Sequence, residues 1–448
     1  MTLRIGNGCG FSGDNLDAPI FLAQQGNLHY LTLEYLAELT MSILALQKQR
    51  DPQAGYAGDF IDLMERLWPI LENKPRLKIV TNAGGMNAKA CAAKTREILQ
   101  KAGLTRRIAV IEGDDLMPRL EELVAAGHSF TNLDTGESLT SILPRVVSAN
   151  AYLGAAPIVT ALQGEADVVI TGRVADASLT VGPIVHHFGW AWGDWARLSA
   201  ATVAGHLIEC GAQATGGLWC NYQEAGDLAN VGYPIVEIED SGAFTITKPP
   251  DTGGAVNVET VAEQLLYEVG DPAAYLTPDV VADFTSVALA PVGPDAVHVT
   301  TAHGLPATDR YKVSIAYRDG FAASGTLTLF GPDADKKAAL CGEMIRERLR
   351  RINVVPEHFL VEALGTGACA PGVLTSQVAP PEVVLRVAIR DSRRAIVERF
   401  AKEFAPLVTS GPPGVTGYTT GRPPVREVFA YWPALVDKGV VTPKVAVE

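Results

Sequence analysis

The sequence predicts an α/β fold, a mostly parallel doubly wound sheet, joined to a second α+β unit of ferredoxin-like type. Three observations predict it. Over about the first 280 residues, short β-branched runs alternate with helical stretches. The run 166–171 (ADVVIT) is apolar on both faces, as in strands covered by helices on both sides. From about residue 281 the texture changes to alternating strands, an Arg-rich helical stretch and a Gly/Pro/Thr-rich tail.

The elements follow in order. Residues 77–81 (LKIVT) read as a buried strand and 88–103 as a helix. Residues 108–112 (IAVIE) form the next strand, followed by a helix over 116–126. After the strand 166–171, helices are expected over 199–211 and 256–270. The last stops before Asp271-Pro272, because a residue preceding proline disfavours the helical conformation. In the second unit, 310–316 (RYKVSIA) and 324–330 (SGTLTLF) read as a hairpin turning at Asp319-Gly320. A helix over 334–352, a strand over 382–389 and a helix over 393–404 complete it. The expected domains are 1–280, 281–407 and a tail, 408–448, whose 408–424 stretch returns as a loop over the first domain's cleft.

A chain of 448 residues exceeds one ordinary domain, and 47% apolar with 19% charged residues is a globular balance. A net charge of −13 argues against a nucleic-acid-binding face, which needs basic surplus to displace phosphate counterions. Without an 18-residue apolar run no membrane span is expected, and the start MTLRIGNGCG lacks a signal-peptide pattern. Cys9, Cys91, Cys210, Cys220, Cys341 and Cys369 are irregularly spaced and form no C-x-x-C. Neither a disulfide framework nor a zinc site is expected, and a reducing cytoplasm is.

Open α/β sheets place chemistry at the carboxyl ends of their strands. Five glycine-rich segments are expected there: 6–15 (GNGCGFSGDN), 82–87 (NAGGMN), 171–178 (TGRVADAS), 205–217 (GHLIECGAQATGG) and 248–254 (KPPDTGG). Glycine lets backbone N–H groups approach a ligand, and a following helix adds unpaired donors and a positive dipole end. Converging, such loops would hold an anionic small molecule, with Gly8, Gly10, Ser12, Asp14, Asn15, Asn82, Gly84, Gly85, Asn87, Lys248 and Asp251 as its contacts. The competing reading is that glycine-rich turns are merely compact connections. Gly8, Gly10 and Gly13 formally match a dinucleotide fingerprint with Glu34 near the ribose-binding spacing. The preceding strand is short, however, and Asp14, Asn15, Asp17 and Pro19 interrupt the helix that should follow.

Arg173 and Asp176 lie just past the clearest strand, where Arg173 can clamp a carboxylate and Asp176 can act as a base or orient Arg173. A structural Arg–Asp pair is the alternative. His206, Glu209 and Cys210 share one helix face at i, i+3 and i+4, which groups an imidazole, a carboxylate and a thiol. Cys210 is either a contact or a small apolar residue in the packing. His186-His187 cannot chelate alone, since adjacent side chains point apart. No metal-ligand spacing is diagnostic, and the sequence names no cofactor. The aromatic stretch around Trp190, Trp192 and Trp195 motivates self-association into a homo-oligomer, with burial in a core as the alternative.

Together the motifs GNGCGFSGDN, NAGGMN, ITGRVADAS, GHLIECGAQATGG and EDSG…TKPPDTGG resemble the acyclic terpene utilisation AtuA family, from about residue 3 to at least residue 430. The resemblance implies catabolism of citronellol- and geraniol-type compounds and related branched acids through acyl-CoA intermediates. It implies no particular catalytic residues. The expected function is a lyase- or hydratase-type enzyme using Arg173, Asp176, His206 and Glu209, and the alternative is a non-catalytic acyl-CoA-binding or carboxylase-associated subunit.

Overall fold

The apolar runs of the N-terminal half assemble at the centre of a ten-stranded sheet in the computed structural model, which describes residues 2–300, 303–374, 379–418 and 421–448. Residues 419–420, part of the expected tail loop, lie outside the described residues. Strands Leu3–Asn7, Tyr30–Leu33, Lys78–Thr81, Val168–Thr171 and Ile108–Glu112 lie side by side in that order, all parallel. Beyond Leu3–Asn7 the sheet continues antiparallel through Ile235–Ile238, Phe244–Thr247, Ala296–Thr300 and Ala288–Gly293. Beyond Ile108–Glu112 it is closed antiparallel by Lys444–Val447. The sheet is therefore mixed, where a mostly parallel one was expected. The physical reason lies in burial: Val168–Thr171 is buried throughout, whereas Phe244–Thr247 alternates and Ala288–Gly293 is largely exposed. Such short alternating edges leave a weak signal in sequence.

Side chains alternate across the strands. Leu31, Leu33, Ile79, Ile108, Val110 and Ile170 share one core with the helices Ala18–Gln25, Gly58–Asn73 and Ala88–Lys101. Gly58–Asn73 is helical because Phe60, Leu63, Met64, Leu67, Ile70 and Leu71 recur on one buried stripe. Asn87 caps Ala88–Lys101 by accepting from the Ala90 N–H. A second group, Ala156–Gln163, Ser178–Phe188 and Trp195–Glu209, packs in succession and against the sheet. These elements belong to a unit formed by residues 1–316 and 431–448.

Gly84 sits where strand meets helix. A Cβ there would lie 2.5 Å from the Thr171 carbonyl oxygen and 2.7 Å from the Ala88 Cβ. Gly84→Ala is expected to cost about 2 kcal/mol, because a rigid backbone must yield to one methyl group. Urea unfolding measures this, and an unchanged midpoint would show that the loop gives way freely.

The second unit comprises residues 317–430. Arg310–Phe330 is one unbroken 21-residue strand, not the expected hairpin. Gly320 does adopt a positive φ of +88°, but there it admits the Asp391 carbonyl oxygen, 2.7 Å from where a Cβ would stand. Long antiparallel pairing of Phe321–Phe330 with Glu382–Asp391 overrides the local Asp-Gly turn preference. The unit's sheet order is His358–Leu364, Glu382–Asp391, Arg310–Phe330, Val415–Thr416, all antiparallel. Helix Ala334–Arg351 buries Ala338, Cys341, Ile345 and Leu349 in one core with Leu327, Leu329, Leu385 and Val387. Its arginines are ion-paired, Arg350 and Arg351 with Glu347 and Arg348 with Glu403. Among the described residues, no helix is long and apolar enough to cross a membrane.

Candidate functional site

The loop after Val168–Thr171 is set by a carboxylate beneath it. Asp114 accepts from the Arg173 N–H and from Asn150 Nδ2, both at 2.8 Å. A Cβ on Gly172 would lie 2.5 Å from Asp114 Oδ1, so only glycine lets the loop close over that group. Burial pushes Asp114 up to about 6, against the pull of those two donors. The anchor turns the Arg173 side chain into the protein, where it is 1% exposed. Its Nη2 lies 3.0 Å from Asp176 Oδ1, and its Nη1 donates to the Leu36 carbonyl and lies 3.8 Å from Glu34 Oε1. The guanidinium also stacks on Tyr152, 4.2 Å from the ring centre. Tyr152 donates to Glu38 Oε1 at 2.7 Å, and Lys312 Nζ lies 3.4 Å from the same oxygen. Burial works to raise Glu38, but the Tyr152 hydroxyl, Arg173 and Lys312 hold it down at about 2.

Arg173, Tyr152, Glu38 and Lys312 face a cavity of about 580 Å³, within the range of small-molecule sites. Asp176, Glu209, Tyr152 and Lys312 supply polar lining, and Leu133, Leu276 and Leu435 are apolar. The Asp176 side chain is 37% exposed, so it meets the cavity while the surrounding protein still strips most of its water. That burial pushes its carboxyl up to about 7, against Arg173 and with the help of Glu209 and Glu38. Across the lining, His206 Nδ1 lies 3.0 Å from Glu209 Oε1, and His206 Nε2 lies 2.9 Å from the Gln264 carbonyl oxygen. A carbonyl only accepts, so Nε2 carries a hydrogen. Burial works against a charged ring, but Glu209 and the Gln264 carbonyl outweigh it and raise His206 above its usual value. Tyr275 and Phe284 flank the imidazole at 5.7 and 5.2 Å. Glu209 is thereby oriented, and its Oε2 has no protein partner.

Residues 3–447 match the family described as "Acyclic terpene utilisation family protein AtuA". The chain belongs to the AtuA family. No curated protein and no solved structure matches it.

In this AtuA-family chain the structure brings Arg173, Asp176, His206 and Glu209 to one cavity. The other expected contacts do not line it. Gly8 N–H donates to the Thr32 carbonyl at 3.0 Å and Gly10 N–H to Asp14 Oδ2 at 2.8 Å. Asp14 also receives the Tyr233 hydroxyl and the Asn15 N–H, and Ser12 reaches Asp59. A Cβ on Gly10 would lie 2.6 Å from the Gly211 nitrogen, so that glycine serves a backbone crossing. Asn82 donates to Glu34 and accepts from the Tyr35 N–H, and Gly85 N–H returns to the Asn82 carbonyl. Asn87 donates to the Pro52 and Ala54 carbonyls. Lys248 donates to the Thr252 carbonyl and pairs with Asp295, beside Asp251 in a turn at φ +58°. Burial and Glu209 raise the Cys210 thiol, which keeps it protonated. Glu38, Tyr152 and Lys312 are site residues that no motif announced, although Tyr152 lies in the Gly-containing stretch NAYLG. Among the described residues, no group of three or more His, Cys, Asp or Glu side chains is placed to hold a metal ion.

His206→Ala is expected to destabilise the fold by about 3 kcal/mol, since it strands the buried Glu209 carboxylate. The native value of His206 is raised, so its contribution is complete below about pH 6.5 and fades as pH rises through the native value. Denaturant midpoints at several pH values test this. The loss should be largest on the acid side, and a pH-independent loss would contradict an imidazolium–carboxylate pair.

Proposed function

We propose that this chain is a catabolic enzyme of acyclic terpene and branched-chain acid breakdown, acting on an acyl-CoA or a hydroxy or unsaturated carboxylate by lyase- or hydratase-type chemistry. One observation carries the reading: two carboxyl groups, Asp176 and Glu209, face one cavity from opposite environments. Unlike environments are what divide acid from base in such pairs. Asp176, protonated near neutral pH, is the acid, and Glu209, held by the His206 imidazolium, is the base. In the dehydration direction Glu209 removes a proton beside the carbonyl, and Asp176 protonates the departing hydroxyl, which leaves as water. Arg173 positions Asp176. Both of its terminal nitrogens are engaged with protein groups, so attraction of a substrate anion falls to Lys312 and Arg310, which are 44% and 56% exposed. The apolar side chains Leu133, Leu276 and Leu435 suit a hydrocarbon chain. The reading places the enzyme in the cytoplasm, in keeping with six free cysteines.

A thermal-shift screen tests it, using branched-chain acyl-CoA thioesters and free branched hydroxy acids. A stabilising ligand raises the melting temperature by mass action. The reading expects at least one class to do so and to be hydrated or dehydrated by wild type. If every class binds equally poorly and none is turned over, the reading fails.

A further inference from the structure

Glu34 is an acidic group in contact with Arg173 that the proposed chemistry leaves idle. It follows the parallel strand Tyr30–Leu33, is 4% exposed, and lies behind Arg173 as seen from Asp176. Its Oε1 takes both nearby donors, the Leu36 N–H at 2.8 Å and Asn82 Nδ2. Its Oε2 is buried and has no partner. Arg173 thus stands between two carboxyl groups, 3.0 Å from Asp176 and 3.8 Å from Glu34, and among the described residues no second cation contacts Glu34. One guanidinium balances one carboxylate. Ionising both would leave a net negative charge beside a buried Glu34, which is costly.

We propose that Glu34 is a positioning residue, and that Glu34 and Asp176 share one proton across Arg173. The inference rests on the acid–base reading of the same site and deepens it. No proton passes through the guanidinium; the coupling is electrostatic. When Asp176 gives its proton to substrate, Arg173 shifts its attraction to the new carboxylate and Glu34 takes up a proton from solvent, so that the pair again holds one. When Asp176 is reprotonated, Glu34 releases that proton, and the pair returns to its starting charge. Such a pair titrates as a unit whose steps belong to neither residue alone. Burial and the Asp176 charge raise Glu34, against Arg173, Asn82 and the Leu36 N–H, which agrees with this geometry. The groups facing the unit from neighbouring elements are the Cys9 thiol beside Glu34, and Glu209, Glu38, Lys312, Tyr152, Tyr275 and the Cys210 thiol around Asp176. None of these bridges the two carboxyls as Arg173 does.

The test needs no substrate, so its failure is separable from that of the proposed reaction. The protonated-carboxyl infrared band of the full chain is followed from about pH 5 to about pH 9 in wild type, Glu34→Gln and Asp176→Asn. Sharing predicts that wild type loses one carboxyl proton from the pair in this range. Each single variant hands Arg173 undivided to the remaining carboxyl, whose apparent pKa falls by about one unit or more. The protonated band of that remaining group should then be lost at neutral pH in either variant. If Glu34→Gln leaves the Asp176 band in place, or Asp176→Asn leaves the Glu34 band, the two titrate independently and the proposal is overturned. Should Glu34→Gln not fold, the Asp176→Asn spectrum decides alone by the same criterion.

Discussion

Asp176→Asn should abolish turnover while leaving a folded protein that is more stable than wild type above neutral pH. The catalytic half rests on the proposed reaction, in which Asp176, a cavity-facing carboxyl held near neutrality, is the acid and an amide cannot deliver a proton. Loss of a general acid lowers kcat by about 10²–10⁴-fold. Substrate affinity should change by no more than a few fold, because Lys312 and the apolar lining remain. The stability half follows from linkage. An ordinary unfolded Asp titrates near about 3.9, and the folded value is raised to about 7. Between those values the native state holds more protons than the unfolded one, so stability falls as pH rises. The side chain is partly open to water, which limits the effect to about 1 kcal/mol at pH values above the native transition. The variant should lack this decline. A variant that loses activity and also loses stability at alkaline pH would mean that Asp176 is a structural partner of Arg173 and nothing more.

The second large effect is Arg173→Met, which should destabilise the chain by about 3–5 kcal/mol. Removing a buried guanidinium leaves Glu34 and Asp176 facing each other without a cation and leaves the Leu36 carbonyl without its donor. It also removes the stack on Tyr152. The loss should grow with pH, because protonated carboxyls need no counter-charge and ionised ones do. Arg173→Lys should not rescue it, since one ammonium cannot reach both carboxyls and the carbonyl in a planar fork. Urea titrations across pH test all three statements. A loss below about 1 kcal/mol would identify the pair as an exposed salt bridge in energetic terms.

Much of this was legible in the residues. Ile108–Glu112 occupies the span that its apolar run predicts, and Ala88–Lys101 begins where the expected helix 88–103 begins. The pair His206–Glu209 is three residues apart on one helix, so local geometry alone brings its members together, whereas Arg173 meets Asp176 in a loop that Asp114 anchors. The mixed sheet was not legible, because strand direction depends on partners far along the chain. Neither was the unbroken strand Arg310–Phe330, whose Asp-Gly dipeptide favours a turn until pairing with Glu382–Asp391 decides otherwise. The resemblance to the AtuA family pointed to a catabolic context without naming a reaction.

Sequence by itself therefore determined the central buried strands, the family and the His206–Glu209 pair, since these rest on apolar runs, on motifs and on a spacing within one helical turn. Only tertiary structure decided which glycines serve packing. A missing Cβ at Gly10 or Gly84 looks the same in sequence whether ligand or backbone fills the space, and here backbone fills it. Only tertiary structure, likewise, set Glu34, Glu38 and Lys312 around Arg173. A charge acts through distance in space, and residues separated by more than a hundred positions meet only once the sheet has formed.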